Sequence, residues 1–228
     1  MIPRIFHQIW LGTVPMHPLM LSWRQRWQAL HPEWEHWLWT ESADDPCALT
    51  CGSRRLFSCH PGLLARACHL SQRSNIWRYQ VVCAFGGVYL DADVEPFRPI
   101  DELVGHLDAF AVPRMRPEGY FENAVFGAEL EHTWVRDLLR GLPNRDPATS
   151  LSMGVDYLTL VLRWHPEVAR LQKGAFIFEY PDPDPWLAIR RGETIAPPPE
   201  LSAPPEGAYA LHHWSSHWFA ESFRRVTA

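Results

Sequence analysis

The chain has 228 residues, 46% of them hydrophobic, with a formal net charge of -5 and a pI near 6.2. That length and apolar content predict one substantial core in a single domain over residues 1–228, and the acidic balance argues against a nucleic-acid partner, because a phosphate backbone calls for a basic face. No window approaches the roughly 18 consecutive apolar residues that cross a bilayer, and the first residues read as a strand, not a secretory leader, so the expectation is a soluble protein, cytoplasmic or peripheral to the inner membrane.

Residues 2–12, IPRIFHQIWLG, predict a strand from Arg4 to Trp10 that ends in a glycine turn, with His7 in a structural role. In residues 17–30, Leu19, Trp23, Trp27 and Leu30 recur at spacings of four, four and three, the mark of an amphipathic helix that ends before His31-Pro32. Residues 33–40, EWEHWLWT, read as a second strand. Residues 41–62 are polar and broken by Pro46, Gly52 and Pro61, which predicts loop or short helices. A helix is then expected over residues 66–85, with Leu70, Trp77, Val81 and Ala84 as its buried stripe and Ser71, Asn75 and Arg78 on a neighbouring polar face. It stops at Gly86-Gly87 and releases an apolar strand, Val88-Tyr89-Leu90, that ends in Asp91-Ala92-Asp93. A further strand is predicted over residues 108–113. Residues 196–206 are a proline-rich connector, and a closing strand begins near Tyr209.

Two carboxylates at the end of a buried strand repel each other unless a positive charge compensates them. A divalent cation does so most simply, and hard carboxylate oxygens suit Mn2+ or Mg2+. In open α/β sheets ligands gather beyond the carboxyl ends of the strands, so Asp91 and Asp93 predict a cation with an oxygen-rich substrate such as a diphosphate. A turn-and-capping role for the two aspartates is the plain alternative. Asp182 and Asp184 form a second D-x-D, but the prolines around them predict an extended loop and no site. The five cysteines, Cys47, Cys51, Cys59, Cys68 and Cys83, are odd in number and lack C-x-x-C pairs, which argues against a disulfide framework and, even with His69, fits no standard zinc spacing.

The stretch S-N-x-x-R-Y at residues 74–79, followed by A-F-G-G-V-Y-L-D-A-D-V at 84–94, resembles the sugar-nucleotide-binding region of the D-x-D glycosyltransferases that include the fungal initiating α-1,6-mannosyltransferase and bacterial capsular polysaccharide sugar transferases, with the large clostridial glucosylating toxins as distant relatives. The opening resembles the family's I-P-K-x-I-H-Q-x-W-x-G, residues 121–128 resemble its asparagine-bearing strand before a helix, here 133–140, residues 152–162 resemble its T-G-P-x-x-x-T helix start, and residues 209–218 resemble its A-x-H-x-W-x-x-S-W ending. Two departures stand out: Asn75 occupies the position of the family's aspartate, and His217 splits the Ser216-Trp218 pair.

The resemblance implies a GT-A-like α/β fold with a mostly parallel central sheet flanked by helices. It implies transfer, with retention, of a sugar from a UDP-sugar or GDP-sugar to a hydroxyl acceptor on a glycan or glycoconjugate, in bacterial polysaccharide biosynthesis. By it, Trp10 stacks the base while Ile9 and Leu11 offer main-chain contacts, and Ser74, Asn75 and Asn123 line the sugar pocket. Arg78 supports the leaving group, His212 joins Asp91 and Asp93 on the metal, and Ser216 and Trp218 meet the diphosphate. Asp156, at a helix start, is an acceptor-side candidate, although a helix N-terminal acid explains it equally; His213, alternating to the other strand face, is expected to be packed. Two other classes remain open: a non-catalytic sugar-nucleotide or glycan-binding relative, and a metal-dependent phosphohydrolase.

Overall fold

The structure is a computed structural model and describes residues 1–114, 117–147, 150–177 and 206–213. In chain order these form β1 (Ile5–Trp10), α1 (Pro18–Leu30), β2 (Glu35–Glu41), β3 (Ala48–Cys51), β4 (Arg54–Phe57), α2 (Pro61–Arg66), α3 (Leu70–Phe85), β5 (Gly87–Leu90), β6 (Val94–Pro96), α4 (Asp101–Val104), β7 (Ala109–Pro113), β8 (Phe121–Ala128), α5 (Thr133–Gly141), α6 (Ser150–Met153), α7 (Val155–Leu162), β9 (Ala169–Arg170), β10 (Phe176–Ile177) and β11 (Ala210–His212).

Eight strands make the main sheet in the order β4-β3-β2-β1-β5-β8-β7-β9, and β10-β11-β6 make a small second sheet. Alternation along the strands feeds two cores. On β5, Tyr89 joins a core with Trp39, Trp77, Phe126 and Trp134 beneath α3 and α5, whereas Val88 and Leu90 join Phe6, Trp27, Phe110 and Phe176 on the opposite face. His7 is fully buried at the join of β1 and β5; it donates from Nε2 to the Gly86 carbonyl (2.7 Å) and accepts at Nδ1 from Trp39 Nε1 (3.1 Å). Burial pushes its pKa down to about 4, against the Gly86 bond that favours the cation, so the ring is a neutral structural strut.

The structure corrects five sequence expectations. The sheet is parallel across β2-β1-β5 and between β7 and β9, and antiparallel at β2-β3, β3-β4, β5-β8 and β7-β8. Short connections account for the β2-β3, β3-β4 and β7-β8 pairs, since a hairpin can join only antiparallel neighbours, and β8, reversed on β7, then runs antiparallel to β5 as well. The stretch expected to be loop holds the hairpin β3-β4, turned by Gly52 at φ 58. The helix expected from residue 66 is two helices: α2 ends at Arg66, and α3 begins at Leu70, where Gln72 Oε1 accepts from the main-chain N–H groups of Cys68 (2.8 Å) and His69 (3.1 Å) and so satisfies donors that the helix leaves free. Ala84 is exposed instead of joining the α3 stripe, while Asn75 and Arg78 are buried. The polar side of this helix faces a charged site, not solvent. In addition, Gly154 breaks the last predicted helix into α6 and α7.

No helix among the described residues is long and apolar enough to cross a membrane.

Candidate donor and cation site

Strand β5 ends at Leu90, and the main-chain N–H of Asp91 still bonds to Ala124 on β8 (2.8 Å). The chain then turns at Ala92, returns the Val94 N–H to the Asp91 carbonyl (3.2 Å) and starts β6. Antiparallel pairing of β11 on β6 puts His212 opposite Val94, next to Asp93, across more than a hundred residues of sequence. One donor atom each from Asp91, Asp93 and His212 lie within 4.8 Å of one another, the only such group of three among the described residues. His212 Nε2 stands 3.1 Å from Asp93 Oδ1 and 3.8 Å from Asp91 Oδ2. Two carboxylates and an imidazole are a donor set that suits Mn2+ and tolerates Mg2+ less well for its nitrogen.

Arg78 projects from α3 into the same corner with its side chain 5% exposed. Its guanidinium meets the Asp91 carboxylate at 3.2 Å, donates to the Asn123 carbonyl (2.7 Å) and to Ser74 Oγ (3.1 Å), and lies 4.7 Å over the Tyr89 ring. Burial works most strongly against this cation, but Asp91 together with Tyr89, Tyr79 and Asp93 outweighs it and raises its pKa, so the charge is held. Tyr89 donates to Asp91 Oδ1 at 2.5 Å, and burial keeps its phenol protonated far above the ordinary range. Asp91 is therefore aimed by two donors, one charged and one neutral. Its other oxygen faces His212.

For His212, burial lowers the pKa, but the Asp93 carboxylate, helped by Asp91 and Glu122, prevails and raises it. Without a cation the imidazole thus favours the protonated form and plays the compensating positive charge itself. Glu122 on β8, 1% exposed, is pushed the same way by burial, against the pull of Arg114, whose Nε lies 2.5 Å from its Oε1.

Asn75 and Asn123 meet directly: Asn123 Nδ2 donates to Asn75 Oδ1 at 2.8 Å, and both are nearly buried. With Ser74 they form a neutral, hydrogen-bonding wall beside Arg78. On the other side Trp10 is half-buried. Its Nε1 donates to the Val14 carbonyl (2.7 Å), and its ring and Ala92 both pack against Met20 and Trp23. The tryptophan and the turn between the aspartates therefore share one support. Ile9 and Leu11 bury their side chains in the core beneath α3 and α5 instead. The Gly12 N–H donates to Glu41, which pairs with Arg73 of α3 at 2.8 Å, tying the loop after β1 to the helix that carries Ser74, Asn75 and Arg78.

Of the residues singled out from the sequence, Asp91, Asp93, Arg78, Ser74, Asn75, Asn123 and His212 converge on one corner, with Trp10 adjoining. Asp156 is exposed in the first turn of α7 and is not one of that group. Ser216, Trp218, Asp182 and Asp184 lie outside the described residues. Sequence reasoning missed Tyr89 and Glu122. Tyr89 was within reach, because residues 89 and 91 share a face of an extended chain; Glu122 enters only through the β5-β8 register.

The family described as "Glycosyltransferase sugar-binding region containing DXD motif" matches residues 20–109. Inositol phosphoceramide mannosyltransferase 3 of Schizosaccharomyces pombe is 28% identical over 195 residues, covering 82% of this chain and 49% of that protein, and inositol phosphoceramide mannosyltransferase 2 of the same yeast is 29% identical over 176 residues, covering 72% and 44%. The chain thus spans about half the length of these curated relatives. Among solved structures, the PaToxG glycosyltransferase superposes with a TM-score of 0.55 at 15% identity, over 72% of this chain and 70% of that one. A glycosyltransferase involved in glycosylation of the major capsid of PBCV-1 superposes at 0.50 and 9% identity, over 94% and 96%. The fold is GT-A-like, and over residues 20–109 the chain is similar to the family described as a glycosyltransferase sugar-binding region containing the DXD motif.

Proposed function

We propose that this chain transfers a sugar from a nucleoside-diphosphate sugar to a hydroxyl group of a glycan or glycoconjugate, with a divalent cation, Mn2+ or Mg2+, held by Asp91, Asp93 and His212. The observation that carries the reading is the convergence of those three donors at the end of a buried strand with Arg78 behind them. Such a cation, when bound, neutralises the charge that develops on the departing nucleoside diphosphate. The chain's own residues supply the rest. Arg78 and Tyr89 hold Asp91 in one orientation, Trp10 offers an aromatic face next to the aspartate turn for a planar base, and Asn75, Asn123 and Ser74 present amide and hydroxyl groups that match sugar hydroxyls. The relatives are named mannosyltransferases, which makes mannose the first sugar to try and GDP and UDP the bases to compare.

Calorimetric binding of GDP and UDP, each with and without Mn2+, tests the reading on wild type and on Asp91→Ala/Asp93→Ala. Binding of one nucleotide that requires Mn2+ and vanishes in the variant is expected. If neither nucleotide binds with any divalent ion, the donor-site assignment is wrong. Nucleotide binding with no turnover on any hydroxyl acceptor would favour the non-catalytic relative, a reading that the neutral Asn75-Asn123 pair keeps alive.

A further inference from the structure

Strand β11 is only three residues long and belongs to the small sheet, yet it must present His212 to Asp91 and Asp93 with little error. A short strand has few ladder bonds to set its rotation. The residue after it is held much more firmly. The His213 ring lies flat on Trp23 of α1, with centroids 4.2 Å apart and planes 10° from parallel. Its Nε2 is 3.0 Å from Glu95 Oε2, and the other oxygen of Glu95 meets Arg26 of α1 at 3.3 Å. The His213 main-chain N–H bonds to the carbonyl of Asp93 itself (3.0 Å), and Trp27 Nε1 reaches the Val94 carbonyl (2.8 Å). One face of α1 thus grips both strands that flank the candidate site.

Neighbouring side chains on an extended chain point to opposite faces. Fixing His213 against α1 therefore turns His212 the other way, toward the aspartates. We infer that Trp23, Glu95 and His213 are positioning residues: they form a clamp that sets the orientation of His212 and thereby the affinity of the site for a divalent cation. The inference rests on the cation reading of Asp91, Asp93 and His212. Because Trp23 also supports Trp10 and Ala92, the same clamp couples the aromatic end of the site to the cation end.

The test is Mn2+ alone, titrated into the whole chain, with free ion read from its EPR signal and melting temperature recorded on the same samples. Outer residues that orient metal ligands are worth about 10–100-fold in affinity, so His213→Ala is expected to weaken Mn2+ binding within that range and Glu95→Gln to weaken it less. His213→Phe, which keeps a ring on Trp23, should recover most of the loss, which simple unfolding would not allow. If His213→Ala does not fold, Glu95→Gln and His213→Phe decide. A lowered melting temperature with wild-type Mn2+ affinity in these variants overturns the clamp and leaves only packing. Failure of the underlying reading looks different: wild type would then take up no Mn2+ and would match Asp93→Ala.

Discussion

Gly87→Ala isolates the close approach of β1 and β5, the two strands whose ends carry Trp10 and Asp91. Gly87 has φ 99, and a methyl group there would stand 2.6 Å from the Ile5 carbonyl oxygen and 3.1 Å from His7 Nε2. The oxygen belongs to a strand paired on both sides, so it cannot swing away. Left-handed strain at a non-glycine residue costs about 1–3 kcal/mol, the forced overlap adds about 1–3 kcal/mol, and the stiffer unfolded chain returns about 0.4–1 kcal/mol. The net loss is therefore about 3 kcal/mol, which for a domain of this size lowers the melting temperature by roughly 6–12 °C. Gly119→Ala is the control, because Gly119 has φ 83 but nothing within 4 Å of the added methyl; strain alone predicts a drop of about 1–2 kcal/mol. Thermal melts followed by circular dichroism on both variants give the difference. Should Gly87→Ala melt at the same temperature as Gly119→Ala, the contact between these strands contributes nothing and the reasoning fails.

Three other outcomes are expected. Folding stability should fall as pH drops from about 6.5 to about 4, because unfolded His7 takes up a proton near its ordinary value of 6.5 whereas the buried ring resists until about 4; the folded state binds fewer protons in that window, so its advantage is complete above it and shrinks by up to about 3 kcal/mol toward its lower end. Urea titrations between pH 4 and 7 should show a shallower slope for His7→Gln, and an unchanged slope refutes the assignment. Arg78→Met leaves the Asp91 carboxylate and the Asn123 carbonyl without their shared donor and should cost about 3–5 kcal/mol, read from urea midpoints; a loss below about 1 kcal/mol would mean that water replaces the guanidinium freely. Arg78→Lys should restore part of that stability but not all of it, since an ammonium cannot reproduce the guanidinium fork between Asp91, Asn123 and Ser74.

Local pattern was enough to read much of this chain. The spacing of Leu19, Trp23 and Trp27 marked α1, the apolar run ending in Asp91 and Asp93 marked β5 and the site, and Gly86-Gly87 marked the boundary between α3 and β5. These are contacts between near neighbours, where periodicity and turn chemistry act directly. The resemblance carried by residues 74–94 also named Arg78 and Asn75 as companions, and that of residues 121–128 named Asn123. The structure bonds Asn75 to Asn123 and lays Arg78 along Asp91.

Other features depended on partners far apart in sequence. The α3 pattern placed Ala84 inside and gave no reason for Asn75 and Arg78 to be buried; their burial follows from what α3 faces, which is the end of β5. The hairpin β3-β4 lay hidden in a polar stretch because exposed strands carry little apolar alternation. Sheet direction is set by the lengths of connections and by which edges find each other, so the antiparallel flanks were not visible in any window. The Tyr89 and Glu122 environments arise only where β8 pairs with β5 and β7, and the stack of His213 on Trp23 only where β11 pairs with β6 beside α1. Sequence alone offered Asp91 and Asp93 as candidate cation ligands, because that is a matter of residue chemistry and short spacing, and the family resemblance added their candidate companions. Tertiary structure decided how they are aimed, because orientation is imposed by strand register and packing between segments that sequence periodicity does not connect.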